Sequence, residues 1–233
     1  MKEIETITTT KLIRAAGIAA LVAGALFLLP QFIHPEDHVA QVTTTRWVVA
    51  HLVNTVMAIL ALIGVAGLYL RQVRETRVLG LVGVVLLGIG FLMIAIVSFA
   101  EAVILPQIVG TAPGYVSDFL ATLVGGPVRG DVGGFTVANQ VAAGTYLLGG
   151  LVFGIALYRA RIVARWASLL LSLGALASLL AAVLPDSLLR TATFPTAIAL
   201  MGLGYSLWRG KRVASSETVP SARTSLSPAG VQG

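Results

Sequence analysis

Six long apolar stretches run through the chain, at 15–33, 48–70, 78–105, 135–158, 167–184 and 193–208. A helix rises ~1.5 Å per residue, so roughly 17–25 apolar residues are needed to cross the hydrocarbon core of a bilayer. Each stretch is near or above that length. The chain therefore reads as an all-α protein, a polytopic bundle of six transmembrane helices. Only 11% of its residues are charged and the mean hydropathy is +0.91, which excludes a soluble core, where about a quarter of residues carry charge.

Charge placement gives the orientation, because Lys and Arg in short loops stay on the cytoplasmic side. Lys2, Lys11 and Arg14 precede the first span. Arg71, Arg74 and Arg77 join the second to the third, Arg159, Arg161 and Arg165 join the fourth to the fifth, and Arg209, Lys211, Arg212 and Arg223 follow the sixth. Arg46, Arg129 and Arg190 fall on the other side. Both termini are thus expected in the cytoplasm: a segment at 1–11, the membrane domain at 12–212, and a disordered tail at 213–233 rich in Ser, Thr, Pro and Gly. Aromatic residues mark the inner interface at Tyr69, Tyr158, Trp166, Tyr205 and Trp208, and an outer one at Trp47. The first span is longer than the apolar core of a signal peptide and reads as a retained helix. The basic residues sit at span ends and form no nucleic-acid patch. Without cysteine there is no disulfide, thiolate nucleophile or thiolate metal site.

A weak two-helix repeat is visible. Odd spans open with Arg14-Ala-Ala-Gly17, Arg77-Val-Leu-Gly80 and Arg165-Trp-Ala-Ser168, and close at Leu29-Pro30, Leu105-Pro106 and Leu184-Pro185. Duplication and the shared demands of topology explain it equally well. Small residues spaced for close helix approach are clearer: Ala16, Ala20 and Gly24 on span one, Gly80, Gly83, Gly88 and Gly90 on span three, Gly150 and Gly154 on span four, Ser168 and Ser172 on span five. Such stripes predict ordinary bundle contacts.

Two outer connections carry further signals. His34-Pro35-Glu36-Asp37-His38 reads as a short helix start, with Pro at the first position and two acids facing the positive end of the dipole. His34 and His38 are four apart and are weak candidate metal ligands, but no third ligand follows nearby. In the longer connection, about 106–134, Val116, Phe119, Leu120, Leu123 and Val124 recur at helical spacing between Pro113-Gly114 and Gly125-Gly126-Pro127. An interfacial helix over about 115–125, lying across the outer mouth, is the expectation.

Glu101 is the most informative single residue, since an ionisable group at membrane depth is costly and marks a functional site by default. It lies five residues before Pro106, with Ser98 one turn below. On span two, His51 lies at similar depth, followed by Asn54 and Thr55. On span four, Asn139 and Gln140 occupy the corresponding position, with Tyr146 two turns deeper. These polar faces are expected to converge beneath the outer surface, with Glu101 and His51 as acid and base and Asn54, Ser98, Asn139, Gln140 and Tyr146 as ligand-binding groups. The competing reading is structural, in which Glu101 and His51 pair to hold two spans together.

Other chemistries lack their residues. The glycine pairs have no strand context or Lys-Ser/Thr of a phosphate loop, and His51 is the sole histidine within a span, so the bundle alone does not supply the paired axial ligands of a b-type haem; a second would have to come from an outer-loop histidine.

The elements Arg14-Ala-Ala-Gly17, Ala50-His51-Leu52, Gly67-Leu-Tyr69-Leu-Arg71, Phe99-Ala-Glu101-Ala-Val103 with Leu105-Pro106, and Arg165-Trp-Ala167 resemble the bacterial six-helix membrane proteins grouped as domain-of-unknown-function family four-three-eight-six. The resemblance spans about 11–209. It implies a multi-pass protein of the bacterial cytoplasmic (inner) membrane and brings no activity. Three functions stay open: binding of a lipid, a small hydrophobic ligand or a partner subunit at the outer polar pocket; a membrane-embedded enzyme acting on a lipid or isoprenoid; and a proton-coupled small transporter.

Overall fold

The computed structural model describes residues 8–181 and 193–210. The expected disordered tail at 213–233, Leu184-Pro185 and Arg190 lie outside them. The described residues are helical, with no strand. Helix α1 spans Thr9–Ile33, α2 Thr45–Arg71 and α3 Val73–Phe99; a π turn over Ala100–Ile104 leads from α3 into the short α4, Leu105–Ile108. Then follow α5, Pro113–Leu123, α6, Phe135–Ala160, α7, Arg165–Ala181, and α8, Phe194–Arg209. Four segments are long and apolar enough to cross a membrane: α1, α2, α3 with its continuation to Ile108, and α6. Helices α7 and α8 are shorter, at 17 and 16 residues.

The helix starts are written in the sequence. The Thr8 and Thr44 side chains accept hydrogen bonds from Lys11 N–H and Trp47 N–H, each at 3.3 Å, satisfying donors that the first turns of α1 and α2 leave open. Arg77, at φ 50° and ψ −140°, interrupts α3, so its continuous apolar part begins at Val78, where the hydropathy pattern begins.

The six long helices form a closed ring in the order α1, α2, α3, α6, α7, α8 and back to α1. One apolar core, including Ala23, Met57, Phe91, Phe153, Leu171 and Leu200, draws on all six. Small residues set the spacing. Gly64 and Gly67 of α2 receive Ala20 and Ala16 of α1. A Cβ built on Gly24 would stand 2.5 Å from the Ala197 carbonyl oxygen of α8, and one on Gly83 2.6 Å from the Phe153 backbone of α6. The same is true of Gly154 against Ser168 and Ser172 of α7. These positions are bundle contacts, whereas Gly80 meets only Thr76 of its own helix.

Two expectations need correction. The chain does not start a helix at Pro35. His34 is the C-cap of α1 with extended backbone, as a residue before proline prefers, and the next helical turn is a 3₁₀ piece at Val39–Gln41. Nor is Trp47 an interfacial anchor, because it is fully buried. At the other end Tyr158, Trp166, Tyr205 and Trp208 are 37–58% exposed, as belt residues are.

A helix does form in this connection: α5 begins and ends two residues earlier than expected. Val116, Phe119 and Leu120 are buried against Val42, Trp47 and Leu105 in a second apolar core, while Val124 lies beyond the helix and is exposed. Phe119 stacks on Phe135 at 3.9 Å. Helix α5 thereby covers the end of the ring that carries Trp47 and Glu101.

Candidate functional site

Glu101 owes its surroundings to Pro106. Proline has no N–H, so a regular ladder cannot continue past it. Just before it the helix widens to a π turn, in which Leu105 N–H bonds the Ala100 carbonyl. In such an i→i+5 ladder the donor for the next carbonyl, that of Glu101, would be residue 106, and proline has nothing to give. The indole of Trp47 fills the gap, with Nε1–H donating to the Glu101 carbonyl oxygen at 2.8 Å. One turn along α2, the His51 ring tilts against the Trp47 ring with centroids 4.2 Å apart.

His51 is 3% exposed and Glu101 6%. The His51 Nε2 lies 3.4 Å from Glu101 Oε1, an ion-pair distance. Its other nitrogen, Nδ1, is 2.8 Å from the Trp47 carbonyl oxygen. A carbonyl only accepts, so Nδ1 carries hydrogen and Nε2 faces the carboxylate.

A third side chain joins them. His34, at the end of α1, places Nε2 3.2 Å from His51 Nε2 and Nδ1 2.7 Å from the Pro35 carbonyl oxygen. Arg46 donates from Nε to the Ile33 carbonyl at 2.5 Å and ties the end of α1 to the start of α2. One turn deeper, Asn54 Nδ2 donates to Ser98 Oγ at 3.1 Å, with Ser98 buried. The Thr55 hydroxyl donates back to the His51 carbonyl at 2.9 Å. The result is a polar ladder between α2 and α3, topped by His34.

The structure thus gathers Glu101, His51, Asn54 and Ser98, and places the α6 candidates elsewhere. Asn139 donates to the Thr122 carbonyl at 3.1 Å and fastens α6 to the end of α5. Gln140 is exposed. Tyr146 stands edge-on to Phe91, 5.6 Å between centroids, in the apolar core. His38 is exposed beside Glu36 at 3.5 Å while His34 turns to His51, so the two side chains have different partners. Among the described residues no group of three or more His, Asp or Glu side chains is arranged to hold a metal ion. His34 and Trp47 are the members that spacing alone missed. His34 was visible as a histidine at a span end; its direction depends on how Pro35 turns the chain.

Below this ladder the α2–α3 pair carries a groove of ≈ 370 Å³ lined by apolar side chains, among them Leu62, Val65, Val84, Val85 and Leu92, with Gly88 in its floor. No protein-family model, curated protein or solved structure matches the chain.

Proposed function

We propose that this end of the α2–α3 pair binds a membrane amphiphile, a lipid or a small hydrophobic molecule with a polar head. The observation that carries the reading is the stacking of two unlike surfaces on one helix pair: buried His51, Glu101, Asn54 and Ser98 above, and an apolar groove below. A head group with both donors and acceptors matches the polar rungs, and a hydrocarbon chain matches the groove. Helix α5, packed over Trp47 and Leu105, would shield the head from water.

The reading includes a setting. The protein crosses the cytoplasmic membrane of a bacterium six times with both ends inside, α7 and α8 completing the ring that the four longer helices begin. The reading also includes membership of domain-of-unknown-function family four-three-eight-six, on the sequence elements that resemble it.

A second reading has its own support. A carboxylate and an imidazole 3.4 Å apart and shielded from water suit acid–base chemistry on a bound lipid or isoprenoid, Glu101 as acid and His51 as base. Native mass spectrometry of the gently solubilised protein, wild type beside Glu101→Gln, tests both. A lipid-mass adduct on the wild type and its loss from the variant supports binding. Conversion of that adduct to a species of new mass, abolished in Glu101→Gln, supports the enzyme. A folded wild type free of any adduct in several lipid extracts sinks the binding reading.

A further inference from the structure

The hydrogens at the His34, His51 and Glu101 cluster do not balance. A neutral imidazole has one donor nitrogen and one acceptor nitrogen. In both histidines Nδ1 faces a backbone carbonyl oxygen, at 2.7 Å for His34 and 2.8 Å for His51. Each Nδ1 must therefore carry the hydrogen, and each Nε2 is left as a lone pair. Those lone pairs point at one another across 3.2 Å, with the Glu101 carboxylate 3.4 Å from the second. When Glu101 is ionised, three acceptors meet with no donor between them. Protonating Glu101 instead would give His51 a donor and leave His34 Nε2 facing a nitrogen that is already occupied. One hydrogen on the Nε2–Nε2 axis satisfies both rings and gives the carboxylate a counter-charge. We propose that His34 and His51 hold one shared proton between their Nε2 atoms, with Glu101 as its counter-ion, and that His34 is the link through which it exchanges with water.

Position supports the last step. His51 and Glu101 are buried, whereas His34 is half-buried at the end of α1. The other charged groups nearby do not supply a competing donor. Arg46 is turned to the Ile33 carbonyl, and Glu36 sits by His38. Asp37 is exposed, and as a carboxylate it brings no donor. From α5 the neighbours are apolar, because Asp118 is engaged with Arg129 and Gly130 N–H. The site is a proton-binding site whether or not an amphiphile occupies the groove, so its test needs no ligand and can fail independently of the binding reading.

With three histidines in the chain, nitrogen-15 histidine labelling gives a readable spectrum of the full-length protein in lipid nanodiscs. At high pH the His34 and His51 signals should report Nδ1–H tautomers. On acidification the two rings should take up their first proton jointly, each signal moving partway. His34→Gln should move the His51 midpoint by about tenfold in proton concentration, the size expected for directly coupled sites, and leave His38 unmoved. Independent titration of His34 and His51, or Nε2–H tautomers, overturns the proposal. So does a response of both rings to EDTA accompanied by stoichiometric metal in elemental analysis, which would put a cation where the proton is assigned. If His34→Gln does not fold, the tautomers and joint titration of the wild type decide it.

Discussion

At the scale of single residues, the indole of Trp47 is the pivot. It bonds the Glu101 carbonyl, to which Pro106 has no N–H to offer, and its ring lies against His51. Trp47→Phe keeps most of the ring and removes the donor, leaving a buried carbonyl unsatisfied at a cost of about 1–3 kcal/mol. Thermal unfolding in detergent should show this loss, while Trp166→Phe, at a residue 58% exposed, should be close to neutral. Equal effects of the two substitutions would remove the pivot role. The Glu101–His51 pair has a sharper signature, because removing one member strands the other. Glu101→Leu alone should destabilise by about 3–5 kcal/mol, and adding His51→Leu should recover part of that loss. Simple additivity in this cycle would mean the two groups do not interact. The pair was legible in the sequence, since two ionisable groups at one depth on adjacent spans have few other partners. Trp47 and His34 were not: each acts through the direction of a turn made by a proline, Pro106 for one and Pro35 for the other.

At the scale of helices, glycines separate into those a neighbour needs and those it does not. Gly83 faces the Phe153 backbone at 2.6 Å from an added Cβ, whereas Gly144 of α6 meets nothing within 4 Å. Gly144→Ala should leave stability unchanged or raise it by up to about 1 kcal/mol through helix propensity. Gly83→Ala should lower it by pushing α3 off α6, and a chemical-unfolding series on the two variants reads the contrast. Helix α5 is held by a different device. Asp118 accepts from the N–H groups of Arg129 and Gly130 at 3.0 and 2.8 Å, fixing the segment that follows α5. Asp118→Ala should free that segment, so trypsin should cut after exposed Arg129 several-fold faster; an unchanged rate would show that Phe119 stacking suffices. The small-residue stripes and the amphipathic period of α5 were legible because both are local patterns. The π turn was not, because hydropathy registers an apolar run and not the ladder inside it.

At the scale of the whole molecule, the closed order α1, α2, α3, α6, α7, α8 makes the first and last described helices neighbours, since α1 packs against α8. No sequence pattern announced that order; it follows from which small faces match, such as Gly17 and Gly24 of α1 against α8. Orientation is the property on which the charge pattern speaks most directly. The joints α2–α3 and α6–α7 carry Arg71, Arg74, Arg77, Arg159, Arg161 and Arg165, whereas the long segment after α5 carries Arg129 alone. The cost of moving cations across the bilayer therefore favours placing both joints in the cytoplasm and the α5 side outside. Because the chain has no cysteine, single introduced thiols report this without background. Val128→Cys and Ile162→Cys suit the purpose, as these residues are 40% and 42% exposed, one before and one after α6. In intact cells an impermeant maleimide should label Val128→Cys, and should reach Ile162→Cys only after the membrane is opened. The reverse pattern would turn the molecule over and put the His34, His51 and Glu101 cluster in exchange with the cytoplasm. Labelling of both thiols in sealed cells would break the six-span reading itself, since Phe135–Ala160 would then not separate its two ends.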